Sequence, residues 1–276
     1  MFAPLSYTSD VFAIRQQPRR LFERYFHELE AETARLDVRF ELVPPEKLVA
    51  VYEAHAASWN GFSPVFDYRT TDVPPDLTAC LVGYDRNGEP AVAHGCRLFE
   101  FGEQTVQSAF EDLTFWYGSK AEARRAHTVC TLTAPTAARM TGRVLYIGAF
   151  WVRPDFRNIS ASPTIQELAR VYGCSRWDFD AIVTVGSDSF RRPELQARYG
   201  FDGYEDDFRI TMHGECKFKG LFLWCSRDSQ IARTEALMLR YEQEKQAFDH
   251  AGTNDTPPIT AAIGDRAHVF AATEGR

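Results

Sequence analysis

Between Arg143 and Tyr204 the chain runs strand, tight loop, helix, strand, loop, short helix and turn, and the other segments read as additions around that unit. Val144-Leu145-Tyr146-Ile147-Gly148-Ala149-Phe150-Trp151-Val152 is an unbroken apolar run. That is the pattern of a strand buried on both faces, and Pro154 stops it. Arg157-Asn158-Ile159-Ser160-Ala161-Ser162 follows as a small polar loop. Pro163 suits the first position of a helix, with Ser162 before it as the cap. Thr164 to Arg176 carries Ile165, Leu168, Ala169 and Tyr172 at helical spacing, and Asp180 to Val185 is a second buried strand. Strand, helix and strand in this order predict a right-handed βαβ unit.

The chemistry of that unit lies in its loop. A helix N-terminus offers unpaired N–H groups and partial positive charge to an anion, and Arg157 adds a guanidinium fork suited to phosphate. The stretch Val152-Arg153-Pro154-Asp155-Phe156-Arg157-Asn158-Ile159-Ser160-Ala161-Ser162 resembles the acetyl-CoA loop of the GNAT superfamily of N-acetyltransferases. That loop follows the family's fourth strand and reads Arg/Gln-x-x-Gly-x-Gly/Ala, commonly after Val-x-Pro. Arg157 fits the pattern, whereas Ser160 and Ser162 stand where the family has glycines. Arg198-Tyr199-Gly200-Phe201 resembles the family's Gly-Phe turn.

The resemblance implies an α/β (α+β) domain of GNAT type. Its mixed central sheet would be splayed between its fourth and fifth strands, with helices on both faces and an extra N-terminal helix. It also implies transfer of an acyl group from acetyl-CoA or another acyl-CoA to a small-molecule amine or amino acid. Phe150, Trp151 and Val152 would offer backbone groups to the pantetheine arm, and Arg157, Asn158, Ile159, Ser160, Ala161 and Ser162 would hold the pyrophosphate. The acid and base are harder to place. No carboxylate occurs between Val144 and Val152, and the family's usual tyrosine acid is replaced by Gln196. Asp188, Tyr146, Glu111 and His94 are the candidates, beside catalysis by proximity to a neutral amine. Two rival readings stay open. One is a synthase of N-acyl amino acids or acyl-homoserine lactones, whose donor is a long-chain acyl group or an acyl carrier protein. The other is a non-catalytic module that binds CoA.

Elsewhere, Pro18 to Leu36 has a broad apolar face (Leu21, Phe22, Tyr25, Phe26, Leu29) and predicts a helix. Asp37 to Val43 alternates as a strand, and Glu46 to Trp59 is helical. Trp59, Phe62 and Phe66 lie in or beside a loop expected over the acceptor site. Leu77 to Tyr84 and Glu89 to Phe101 flank Asn87-Gly88, a hairpin signal. His94, Cys96 and Glu100 share one face of the second strand, without the further ligand pair that a metal site needs. Residues 102–142 form an insertion, with a basic helix over Lys120 to His127. Strands are expected at Phe208 to His213 and Phe218 to Ser226, then a helix at Gln230 to Phe248. The expected organisation is an arm and helix at 1–36, the acyltransferase domain at 37–250 and a mobile tail at 251–276.

Composition narrows the partners. A net charge of −7 argues against nucleic acid as the main partner, though not against a local basic pocket. No run of signal-peptide type opens the chain and no stretch approaches a membrane span, so a cytoplasmic protein with six reduced cysteines is expected. Nothing in the pattern decides between monomer and homodimer.

Overall fold

The computed structural model describes residues 19–35, 37–59, 61–157 and 161–251. The expected N-terminal arm, the tail after residue 251 and the loop residues Asn158, Ile159 and Ser160 lie outside the described residues. In chain order the elements are α1 (Arg19–Arg35), β1 (Arg39–Val43), α2 (Pro45–His55), β2 (Thr78–Tyr84), β3 (Pro90–Glu100), α3 (Val106–Glu111), α4 (Thr114–Tyr117), α5 (Ala121–Arg125), β4 (Thr128–Leu132), β5 (Arg143–Val152), α6 (Ala161–Arg176), β6 (Ala181–Gly186), α7 (Pro193–Tyr199), β7 (Gly203–Met212), β8 (Glu215–Ser226) and α8 (Arg227–Ala251).

The strands form one eight-stranded mixed sheet in the order β1-β2-β3-β5-β6-β8-β7-β4. The β5–β6 pair is parallel and the other pairs are antiparallel, as a βαβ unit set between hairpins requires. Both faces are covered over most of the sheet. On one side α1, α6 and α8 enclose a core with Phe22, Leu29, Leu145, Ile147, Leu168 and Leu223. On the other, α2, the loop after it and the insertion enclose a second core with Leu48, Phe66, Phe110, Trp116, Tyr146 and Phe222. This is the mixed α/β layout that the resemblance implies. The added helix α1 is built into it: Phe22, Tyr25, Phe26 and Leu29 are buried. Its Glu32 carboxylate accepts hydrogen bonds from Thr164 Oγ1 (2.8 Å) and Tyr241 Oη (2.9 Å), tying α1 to α6 and α8.

Three local expectations are corrected. Helix α6 is already helical at Ala161, so Ser162 stands inside its first turn rather than capping it, and Pro163 is its third residue rather than its first. Proline is tolerated there because first-turn N–H groups have no intrahelical acceptor. The basic helix expected over Lys120 to His127 shrinks to Ala121–Arg125. The next residues form β4, which pairs with β7 from Thr128↔Met212 to Leu132↔Phe208. The insertion therefore adds a strand to the sheet edge as well as helices to its face.

Candidate active site

Strands β5 and β6 pair at only three positions, Val144↔Ala181, Leu145↔Ile182 and Tyr146↔Val183. Beyond Tyr146 the ladder stops, although β5 continues to Val152 and β6 to Gly186. The two strands thus diverge, and the β6-facing edge of β5 from Ile147 onward has no strand partner among the described residues. Thr184, Val185 and Gly186 are half-buried where the preceding β6 residues are fully buried, which marks an open cleft.

A kink on the other edge of β5 coincides with the divergence. Ala93 pairs with Trp151 and Gly95 with Gly148, so β5 carries one residue more than β3 across this interval. Ala149 takes up that residue with φ +50°, a left-handed conformation uncommon for a side chain other than glycine. Backbone strain of this kind is held in place by its surroundings and concentrates where a backbone group must be aimed. The bulge also resets which residues face which core. Val144 and Tyr146 before it and Ala149 and Trp151 after it all join the second core.

Tyr146 fills the space in front of the bulge. An added Cβ on Gly148 would come within 2.8 Å of its hydroxyl and 2.7 Å of its ring, so the phenol lies across Gly148. Its oxygen is 3.4 Å from Ser63 Oγ. Phe66 stacks on the ring at 5.9 Å and Phe115 meets it edge-on at 5.0 Å. Burial pushes the phenol up to about 12, so it stays protonated and donates hydrogen bonds at neutral pH. A methyl at Gly148 must displace this buried ring. Gly148→Ala is therefore expected to cost about 1–3 kcal/mol, read as a lower midpoint in urea unfolding.

At the far end of β5, Trp151 stacks on Trp59 (5.3 Å, 10°) and His55 (4.6 Å), and its indole N–H donates to Ser58 Oγ at 3.1 Å. Arg157 is exposed and reaches back, donating from Nε to Val152 O (3.2 Å) and from Nη2 to Ser58 O (2.7 Å). It closes the end of the unpaired β5 edge, and α6 opens four residues later. Phe150, Trp151, Val152 and Arg157 therefore lie together at the mouth of the cleft. Ala161 and Ser162 form the start of α6.

The other acid–base candidates are not brought to Tyr146. Asp188 sits on the short turn after β6, with its side chain 68% exposed and held by Arg191 at 3.2 Å. Glu111 ends α3 and is exposed, accepting from Leu132 N (3.4 Å) and Gln107 Nε2 (3.3 Å), which steadies β4. Neither contacts Tyr146 among the described residues. His94 is buried edge-on to Phe150, whose ring packs against the first core rather than Tyr146's. Burial holds the neighbouring Cys96 thiol far above its ordinary range. Gln196 donates to Phe190 O at 2.8 Å, a structural contact. Trp59, Phe62 and Phe66 pack onto Trp151, Tyr52 and Tyr146 respectively.

Three residues near the site carry no advance signal. Ser58, at the end of the expected helix, and Ser63, in the loop after it, are ordinary serines in sequence. Arg97 is set directly opposite Tyr146 by the β3–β5 register. It donates to Val65 O (3.1 Å), stacks over Phe99 (4.7 Å), and is lowered to about 10 by burial.

No family model matches the chain, and no curated protein matches it. Solved structures do. The chain is similar to arylalkylamine N-acetyltransferase 2 from Aedes aegypti, at 11% identity over 69% of this chain and 99% of that one, with a TM-score of 0.42. It is similar to Arabidopsis thaliana NAA60 in complex with acetyl-CoA, at 12% identity over 69% and 99%, TM-score 0.41. It is also similar to mutant forms of the Vibrio cholerae spermidine/spermine N-acetyltransferase SpeG, at 10% identity over 72% and 98%, TM-score 0.41. A likeness this loose leaves the site to be argued from the chain's own residues. Among the described residues no helix is long and apolar enough to cross a membrane, and no cluster of three metal-ligating side chains occurs.

Proposed function

We propose that the chain is an acyl-CoA-dependent N-acyltransferase of the GNAT type, with acetyl-CoA or another acyl-CoA as donor and a small amine or amino acid as acceptor. One observation carries this reading: β5 and β6 part after Tyr146 at the point where β5 bulges at Ala149. A pantetheine arm carries amide groups, and an unpaired strand edge offers N–H and C=O groups to bind them as a further strand would. The start of α6 and the outward N–H groups of Arg157 suit the pyrophosphate. The thioester then lies beside the bulge, with Tyr146 on the acceptor side.

In the reaction the amine nitrogen attacks the thioester carbonyl carbon and the carbon–sulfur bond breaks. The nitrogen gives up a proton, and the departing thiolate takes one up to leave as the free thiol. Negative charge develops first on the carbonyl oxygen and then on sulfur. Tyr146, held neutral by burial, is placed to donate a hydrogen bond to that charge; it is no base at neutral pH. Asp188 and Glu111 keep only the role of remote candidates, each already engaged elsewhere.

Calorimetric titration with acetyl-CoA tests the donor site, and mass spectrometry of an amine panel tests the transfer. Tyr146→Phe is expected to lower kcat about 100-fold with donor affinity unchanged. Arg157→Ala is expected to weaken donor binding about tenfold. Absence of binding by acetyl-CoA and by a long-chain acyl-CoA alike refutes the donor assignment. Binding without any acylated amine replaces the enzyme by a CoA-binding module.

A further inference from the structure

Among the described residues, one stretch of the sheet's face, over β4, β7 and the start of β8, has no helix on it. In β8 the first core reaches back only to Leu221. On either side of Leu221, Phe218 and Phe222 face the second core, so Lys219, next to Phe218, points to the opposite, open side. In β7, Phe208 and Ile210 pack against the second core and Arg209 points to that same open side. In β4, Cys130 and Leu132 are buried and Thr131 is exposed between them. The register aligns the three outward residues in one row: Thr131↔Arg209 across β4–β7 and Arg209↔Lys219 across β7–β8. Thr133, Thr211, Asp207 and the edge of Phe208 complete a depression of about 480 Å³ around them.

Two like charges directly opposite each other on neighbouring strands repel. Nearby cations have partners: Arg191 is paired with Asp206 and Lys217 with Glu215. Arg209 and Lys219 make no ion pair or hydrogen bond among the described residues, and Asp207, at the rim, pairs with neither. The row thus presents a guanidinium fork, an ammonium and three hydroxyls, with a net charge of +1 after Asp207 is counted. Its volume is in the range of small-ligand sites, about 300–1,000 Å³. We infer that this depression binds a phosphate monoester, at a site separate from the β5–β6 cleft. The phosphate takes charge-assisted hydrogen bonds from Arg209 and Lys219 and relieves their repulsion, and the hydroxyls of Thr131, Thr133 and Thr211 supply further donors. The single carboxylate favours one phosphate over a polyphosphate. The site lies outside the cleft because β8 passes β6 there. Gly186, the last residue of β6, pairs with Leu221, and Lys219 is two residues further on.

Inorganic phosphate is the probe, titrated calorimetrically into the full chain at fixed ionic strength, with chloride as the control anion. Dissociation on the order of 1 mM is expected, weakened about tenfold in Arg209→Ala and in Lys219→Ala. Lys245→Ala, which removes an exposed cation on α8, should leave it unchanged. Asp207 has φ +67°, which asparagine tolerates, so Asp207→Asn keeps the backbone and should tighten phosphate severalfold. That variant carries the test from the other side should either cation variant fold poorly. Saturating acetyl-CoA should leave phosphate binding intact. Equal binding by wild type, Arg209→Ala and Lys219→Ala, no tightening in Asp207→Asn, or displacement of phosphate by acetyl-CoA would each overturn the site. None of these outcomes depends on whether the chain transfers an acyl group.

Discussion

Arg170→Met is expected to lower the stability of the fold by about 3 kcal/mol, although methionine fills much of the same volume. Arg170 lies on α6 and is 0% exposed. Its Nη1 donates to Gly200 O at 2.9 Å and to Gln230 Oε1 at 3.4 Å, and its guanidinium lies 4.5 Å over the Phe201 ring. Burial lowers its pKa, and the charge of Glu167 opposes that effect. Glu167 is 4% exposed and accepts from Gln230 Nε2 (3.0 Å) and Arg233 Nε (3.4 Å). Arg233 in turn donates to Ala197 O and Arg198 O. Two cations thus hold the last carbonyls of α7, where the helix dipole favours positive charge, and one buried carboxylate offsets them. Removing Arg170 leaves the Gly200 carbonyl without its donor and Glu167 with less compensation. A double-mutant cycle separates these effects. Glu167→Gln should also destabilise, and Arg170→Met/Glu167→Gln should cost about 1–2 kcal/mol less than the sum of the singles, because the double variant buries fewer uncompensated charges. Urea midpoints at unchanged m-value give the numbers. Additivity within about 0.5 kcal/mol would show that Arg170 and Glu167 do not act as a network.

The same turn shows why some of the site was legible in the sequence. Gly200 has φ +66°, and an added Cβ would meet Arg233 Nε at 2.6 Å and Arg170 Nη1 at 2.7 Å, so only glycine fits. A Gly-Phe turn is therefore a marker that a reader can trust. The Asn87-Gly88 hairpin is legible for a similar reason: Gly88 has φ +79°, and Asp85 Oδ1 accepts from Asn87 N and Glu89 N. β5, α6 and β6 announce themselves because their strands are buried over most of their length and only Thr184 interrupts the apolar runs. The bulge at Ala149 has no such marker, since alanine reads as an ordinary strand residue and its positive φ is imposed by the β3 register. β4 is hidden because only two of its three buried residues, Cys130 and Leu132 beside Thr128, are apolar, and its partner strand begins some seventy residues later. β7 begins at Gly203 rather than at Phe208, because a bulge at Asp206 and Asp207 splits it and masks its first half. Asp188 and Glu111 looked available because sequence does not show a carboxylate's partners. Arg191 lies three residues from Asp188, and the N–H of Leu132 reaches Glu111 only in the folded chain.

The stability of the chain is expected to fall steeply once the pH passes about 9. Cys80, Cys130 and Cys225 are buried, and burial is the largest cause raising each thiol from 9.0 to about 12. Cys96 and Cys174 are raised further, again mainly by burial, and the Tyr146 phenol rises from 10.0 to about 12. A group whose pKa is higher when folded contributes stability that is fully present below its unfolded value. Between the unfolded and folded values the unfolded chain has lost the proton and the folded chain has kept it, so each further rise in pH favours unfolding. The window for the thiols therefore opens near pH 9 and closes near pH 12. Within it each thiol costs about 1.4 kcal/mol per pH unit. The five thiols together cost about 7 kcal/mol per pH unit, against a typical total stability of about 5–15 kcal/mol. The urea midpoint should be level from pH 7 to about 8.5, and the fold should be lost between about pH 10 and 11. Cys80→Ala should lower the neutral-pH midpoint through the space it leaves, while making the alkaline slope shallower by one thiol. Cys216→Ala, at an exposed position, should leave that slope as it was. A midpoint that stays level to pH 11 would mean that water reaches these thiols in the folded chain. Cys96 beside His94 would then have to be reconsidered as a reactive thiol, which its burial at 0% exposure otherwise excludes.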